Sequence, residues 1–179
     1  MRLFFYGHEQ LTWTEYQPVE IRDSKDLMYL QGVERRLVAV VEKYKRPGFT
    51  APQMGIPIQM AVVRVRGVLL TLLNPRIERM YGAETVYPET CISCPPGENK
   101  CRVARMSIVE ITSRIIDRPF CEQKWVFEGE DARIIQHEID HLAGTFFFDR
   151  ASLVDKDKVI TKFEEWKFGF KKNGYAFAI

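Results

Sequence analysis

From Asp23 to Tyr44 the apolar residues Leu27, Leu30, Leu37, Val41 and Tyr44 recur at three-, four- and seven-residue spacings, with charged residues between them. That period predicts an amphipathic helix with one buried stripe. Asp23 and Ser24 suit its N-cap, because a short side-chain oxygen can accept from the orphan amides of a first turn, and Pro47-Gly48 ends it. From Ile58 to Ile116 the pattern changes to short runs rich in Val, Ile and Leu, broken at Gly67, Asn74-Pro75, Tyr81-Gly82 and Pro95-Pro96-Gly97. These read as strands. Val63-Arg64-Val65-Arg66 alternates apolar and basic residues, as a half-exposed antiparallel strand does, and Ser107–Thr112 and Lys124–Phe127 read as two more. A second helix is expected from about Asp131 to Leu142, with Glu130 and Asp131 at the positive end of its dipole and Gly144 just past its end. A third starts at Ser152, where Ser152-Leu153-Val154-Asp155 resembles a capping box, and runs towards Trp166.

Helix, strands, helix, helix is an α+β order. With 179 residues the chain has room for one full-sized domain, so residues 1–179 are expected to form a single domain, antiparallel sheets packed around the Asp131–Leu142 helix and flanked by N- and C-terminal helices. Composition adds exclusions. A content of 46% hydrophobic and 28% charged residues is globular usage, which removes disordered and low-complexity classes. A formal net charge of +2 is far too small for a phosphate-tracking duplex binder, so no DNA partner is expected. No apolar run approaches the roughly 20 residues that span a bilayer, and the first residues lack a signal-peptide core, so no membrane partner is expected. Cys91, Cys94, Cys101 and Cys121 are read as reduced thiols in a cytoplasmic protein.

The candidate chemistry lies in His137-Glu138-Ile139-Asp140-His141. Residues i and i+4 share one helix face about 5–6 Å apart, so both imidazoles can reach one metal ion, while Glu138 projects beside it as a proton acceptor. Two of only three histidines fall at this spacing, and His8 carries no assigned role. The third ligand sets the class. A histidine six residues after His141 is ruled out, since that position is Phe147. Glu164 or Glu165 on the third helix can serve, although Lys162 and Lys167 nearby favour a solvated face. A single cysteine thiolate from the segment Pro88–Cys94 leaves an open, catalytic position, whereas Cys91 and Cys94 together would close a structural Cys₂His₂ site.

Three ordered segments resemble the motifs of the peptide deformylases: Gly48-Phe49-Thr50-Ala51-Pro52-Gln53, Glu89-Thr90-Cys91-Ile92-Ser93 and Gln136-His137-Glu138-Ile139-Asp140-His141-Leu142. The resemblance implies a single divalent metal, ferrous iron or a substitute such as zinc, nickel or cobalt, held by Cys91, His137 and His141 with water in the fourth position. It implies hydrolysis of the formyl group from N-formylmethionyl peptides, with Glu138 as general base and acid, and the Gln53 side-chain amide and Ile92 backbone N–H stabilising the oxyanion. Gly48, Glu89 and Thr90 are the implied substrate contacts. The chain departs from the family pattern at Arg46 and Thr90, where Gly is usual, at Thr50, where Ala is usual, and at Ile92, where Leu is usual. Glu130 and Asp131 stand where apolar residues commonly line the methionine pocket. A deformylase-like paralogue of weak activity or other N-acyl substrate, and a non-enzymatic Cys₂His₂ zinc module, are the alternative readings. In the family a C-terminal helix can dock at the ribosome, while the pattern of Ile160, Phe163 and Trp166 favours packing on the core.

Overall fold

The apolar stripe and the caps produce the first helix much as the pattern predicts. In the computed structural model, which describes residues 16–94 and 100–172 with the side chains of 167–172 excepted, α1 spans Ser24–Tyr44. The Asp23 carboxylate accepts from the amides of Lys25 (2.7 Å) and Asp26 (3.0 Å), satisfying two orphan donors. At the other end Lys45 takes a left-handed φ of 52°, and the Arg46 N–H donates to the Val41 carbonyl at 3.0 Å. Leu30, Val33, Leu37, Val40 and Val41 are buried against Phe49, Met60, Val62 and Leu73.

The strands are β1 (Gly48–Thr50), β2 (Met60–Val65), β3 (Val68–Glu89), β4 (Cys101–Ile115) and β5 (Arg118–Glu128). Among the described residues they form one five-stranded sheet in sequence order with every neighbouring pair antiparallel, as the α+β reading expects. Arg66-Gly67 is a true break: both residues have positive φ (48° and 81°) between the paired Val65 and Val68, as a two-residue hairpin with right-handed strand twist requires. Asn74-Pro75 and Tyr81-Gly82 do not end a strand, contrary to the sequence expectation. They sit at register shifts between Leu73 and Arg76 and between Tyr81 and Glu84, where extra residues bend β3 without stopping its ladder to β4. His8 and Pro95-Pro96-Gly97 lie outside the described residues.

Helix α2 (Gly129–Leu142) lies on this sheet. Its Ala132 and Ile135 pack on Val63, Leu72, Val109, Ile111 and Phe127. A short 3₁₀ turn, Phe147–Arg150, leads to α3 (Leu153–Lys172), whose start is capped by Ser152 Oγ accepting from the Asp155 amide at 3.2 Å. Val159 and Phe163 of α3 join Phe146, Phe147, Phe148, Cys91, Cys94, Cys101 and Val103 in a separate apolar cluster beside the end of α2. Cys121 is exposed on β5. Among the described residues no helix is long and apolar enough to cross a membrane.

Candidate metal centre

Two elements converge on one buried point. Helix α2 presents His137 and His141 on one face, their ring centroids 4.8 Å apart and nearly perpendicular. The turn after β3 brings Cys91 against them, with its Sγ 3.2 Å from His141 Nε2. The ligand atoms of Cys91, His137 and His141 all lie within 4.8 Å of one another. One soft thiolate and two imidazoles at this separation suit a transition-metal or zinc ion and leave one position open.

The electrostatics favour the ligating state of the thiol. Burial pushes the Cys91 thiol up, but the imidazoles, His141 foremost, outweigh it and hold the thiol well below its ordinary range. The paired consequence falls on His137, which burial lowers and its bonds to Cys91 and Glu89 raise to about 10. The fold thus keeps a thiolate–imidazolium pair where a cation fits in place of the proton.

Cys94 does not enter the group. It is buried in the same turn, its amide donating to the Cys91 carbonyl at 3.0 Å, but among the described residues only Cys91 offers sulfur to the histidines. Glu164 and Glu165 lie on α3, and Glu165 lines a surface groove with Lys158 and Lys162. The closed Cys₂His₂ site and the glutamate ligand are both set aside on this geometry.

Glu138 is buried beside the histidines, with Oε2 lacking any hydrogen-bond partner among the described residues. Burial pushes its carboxyl up to about 6, offset in part by His137 and His141. A carboxyl poised near neutrality is what proton transfer in both directions requires. Gly48 on β1 abuts it: a Cβ there would stand 2.5 Å from Glu138 Oε1, so only glycine leaves the carboxylate room. Gln53 is buried in the 3₁₀ turn Pro52–Met54. Its Oε1 accepts from the amide (2.8 Å) and hydroxyl (3.0 Å) of Thr50. Its Nε2 is thereby aimed at Ser93 Oγ (2.9 Å) and Cys91 Sγ (3.5 Å). Thr50, a departure from the family pattern, therefore fixes the amide's orientation.

These groups line a cavity of about 210 Å³ that also borders Thr90, Ile92, Arg46, Glu130 and Arg133. Thr90 is exposed at its rim and Ile92 half-buried. Asp131 is turned away, 3.8 Å from Arg66, so only Glu130 of the two acids in the first turn of α2 borders the cavity.

Glu89 has a different place from the one expected of a substrate contact. Its Oε1 accepts from Arg105 Nε (2.7 Å) and Arg133 Nη1 (2.5 Å). Its Oε2 accepts from Arg105 Nη2 (2.9 Å) and pairs with His137 Nδ1 (3.0 Å). A carboxylate behind a ligating histidine fixes the ring so that Nε2 faces the metal position. Arg105 also donates to Asp140 (2.8 Å), which Arg150 holds from outside (2.7 Å). Sequence reasoning missed Arg105, Arg133 and Arg150. The available signal was parity: Arg105 shares the inward-facing positions of β4 with Cys101 and Val103, where an arginine needs buried partners.

Comparison with known proteins agrees with this geometry. The polypeptide deformylase family model matches residues 2–157. The chain is 33% identical over 176 residues to a peptide deformylase of Chlorobaculum parvum, covering 92% of this chain and 91% of that one. Among solved structures it resembles the Synechococcus elongatus peptide deformylase in complex with actinonin, with a TM-score of 0.78, 31% identity and coverage of 90% and 85% of the two chains. It also resembles a Plasmodium falciparum peptide deformylase, with a TM-score of 0.81, 28% identity and coverage of 96% and 98%. With a match over most of its length and a Cys/His/His group where a metal-dependent hydrolase needs one, the chain belongs to the peptide deformylase family.

Proposed function

We propose that this protein removes the formyl group from N-formylmethionyl peptides, using a metal held by Cys91, His137 and His141. The observation that carries the reading is the buried, unpartnered Glu138 Oε2 beside that ligand group, facing a cavity and poised near neutrality. When bound, a divalent cation at this group supplies Lewis-acid chemistry, polarising a carbonyl oxygen and acidifying water. The soft thiolate in the donor set accommodates ferrous iron as the resident ion, with zinc, nickel or cobalt as substitutes.

The chain's own residues supply the rest. Glu138 takes a proton from the attacking water and returns it to the departing amine, which its near-neutral carboxyl permits in both directions. Gln53, tethered through Oε1 to Thr50, turns the Nε2 hydrogen now directed at Cys91 Sγ to the developing oxyanion, and the Ile92 backbone N–H is assigned the second donor. Glu89 holds the His137 ring, and Arg105 and Arg133 hold Glu89. Gly48 keeps the wall beside Glu138 open, and Thr90 at the rim narrows the approach for the peptide. Formate and a free N-terminal amine are the products. The substrate arises at the ribosome, and a thiolate ligand persists in a reducing compartment, so the cytoplasm is the assigned location. Docking on the ribosome is not assigned to α3, because its Val159 and Phe163 face is already packed on the core.

Metal analysis and formate release together test this. Wild-type protein is expected to bind about one metal ion per chain and to release formate from formyl-Met-Ala-Ser. Cys91→Ser, His137→Ala and His141→Ala are each expected to lose both properties. Full metal retention in the Cys91 variant would reject the ligand set.

A further inference from the structure

Of the charges that line the cavity, Glu89 and Arg133 are paired, whereas the carboxylates of Glu138 and Glu130 and the guanidinium of Arg46 have no hydrogen-bond partner among the described residues. Glu89 is engaged by Arg105, Arg133 and His137. Arg133 is used up on Glu89, the Val103 carbonyl and Thr85, and lies over the Tyr87 ring. Glu138 stands against Gly48 beside the ligand group. Glu130 is exposed in the first turn of α2, where the helix dipole favours it and solvent screens it. Arg46 is the cation of the unpartnered set. Among the described residues nothing engages its side chain, and its Nε–H is buried with no hydrogen-bond partner. A buried donor left unmade is unfavourable, and a guanidinium is shaped to give two parallel hydrogen bonds to one carboxylate.

Its backbone is fixed by the amide bond to Val41 that closes α1, and Pro47 follows. Gly48, two residues on, touches Glu138. Arg46, Gly48 and Glu138 all line the same cavity of about 210 Å³. We propose that Arg46 makes the cleft selective for N-formyl substrates that carry a carboxylate within one residue of the formyl amide. The proposal rests on the deformylase reading above and names the substrate class that its cavity prefers. The carboxylate has two sources: the α-carboxylate of a free N-formyl amino acid, or an acidic side chain on the formylated residue of a peptide.

Matched pairs separate these sources. Formyl-Met against formyl-Met-amide tests the first, and formyl-Asp-Ala-amide against formyl-Asn-Ala-amide the second. Equilibrium binding is measured by calorimetry on metal-loaded Glu138→Ala protein, which keeps the ligands intact, with and without Arg46→Gln or Arg46→Lys. At least one acid is expected to bind about tenfold more tightly than its amide. Arg46→Gln should abolish that ratio and Arg46→Lys retain part of it. Equal binding of acid and amide in both pairs, or an equal loss for both accompanied by a lower melting temperature, would overturn the proposal and leave Arg46 a helix-end residue. Formate release by the wild-type protein is followed separately. Release with no acid preference in binding defeats the role of Arg46 alone, and an acid preference in binding with no release defeats the deformylase reading alone.

Discussion

Replacing Arg105 with Met is expected to be among the most damaging single changes outside the metal ligands. The guanidinium is 3% exposed and makes bonds of 2.7 and 2.9 Å to Glu89 and 2.8 Å to Asp140, both of whose side chains are 7% exposed. Methionine fills similar space but leaves two buried carboxylates short of a donor. Breaking a buried pair in this way costs about 3–5 kcal/mol. Arg133 and His137 still hold Glu89, and Arg150 still holds Asp140, so the lower end, about 3 kcal/mol, applies. The titration of Glu89 sets a ceiling of the same order, because His137 and Arg105 share its displacement. Burial pushes its carboxyl up, but the His137 and Arg105 hydrogen bonds reverse this and hold it at about 2, against an ordinary 4.5. At 1.36 kcal/mol per pH unit the displacement is worth roughly 3 kcal/mol. Because the folded value is the lower one, this stability is present above pH 4.5 and is lost as pH falls towards 2. For a chain of this size 1 kcal/mol moves the melting temperature by about 2–4 °C, so Arg105→Met should melt about 6–12 °C lower at pH 7. The melt is followed by circular dichroism on metal-free protein, which separates the fold from metal binding. The deficit should shrink towards pH 3, where the carboxylates protonate in the unfolded chain of both proteins. A deficit below about 2 °C at pH 7, or one that grows on acidification, would refute the reasoning.

Other expectations follow from the same site. Gly48→Ala puts a Cβ 2.5 Å from Glu138 Oε1, so kcat should fall about a hundredfold with metal content unchanged, and an unaltered kcat would mean the carboxylate has other room. In metal-free protein His137 is held protonated up to about pH 10, and ligation needs its neutral form. Metal binding at pH 7 should therefore release protons and tighten as pH rises, which calorimetry in two buffers of different ionisation enthalpy reads directly; binding without proton release would contradict the assigned pair. Cys94→Ser should keep the metal that Cys91→Ser loses, as elemental analysis would show, because Cys94 stands outside the ligand group.

The sequence made local chemistry legible and long-range partnership less so. Asp23, Ser152 and the i, i+4 histidines act through neighbours a few residues away, and each sits where its spacing predicts. The choice of Cys91 over Cys94 rested on family resemblance, because either sulfur satisfies the spacing and only the packing of the turn on α2 decides between them. The lengths of β3 and β4 were underestimated since Asn74-Pro75 and Tyr81-Gly82 are turn-forming pairs, and a bulge uses the same residues as a turn. Glu89 was read as a substrate contact because its partners Arg105 and Arg133 are 16 and 44 residues away, and no local rule joins them.

The most direct test is to incubate anaerobically purified, metal-loaded protein with formyl-Met-Ala-Ser and quantify formate and free amine together, beside Glu138→Ala carrying the same metal. The wild-type protein should yield the two products in equal amounts, and the variant should retain its metal while losing at least about a hundredfold in rate. Absence of formate from the metal-loaded wild-type protein, or an undiminished rate in the Glu138 variant, would contradict the account.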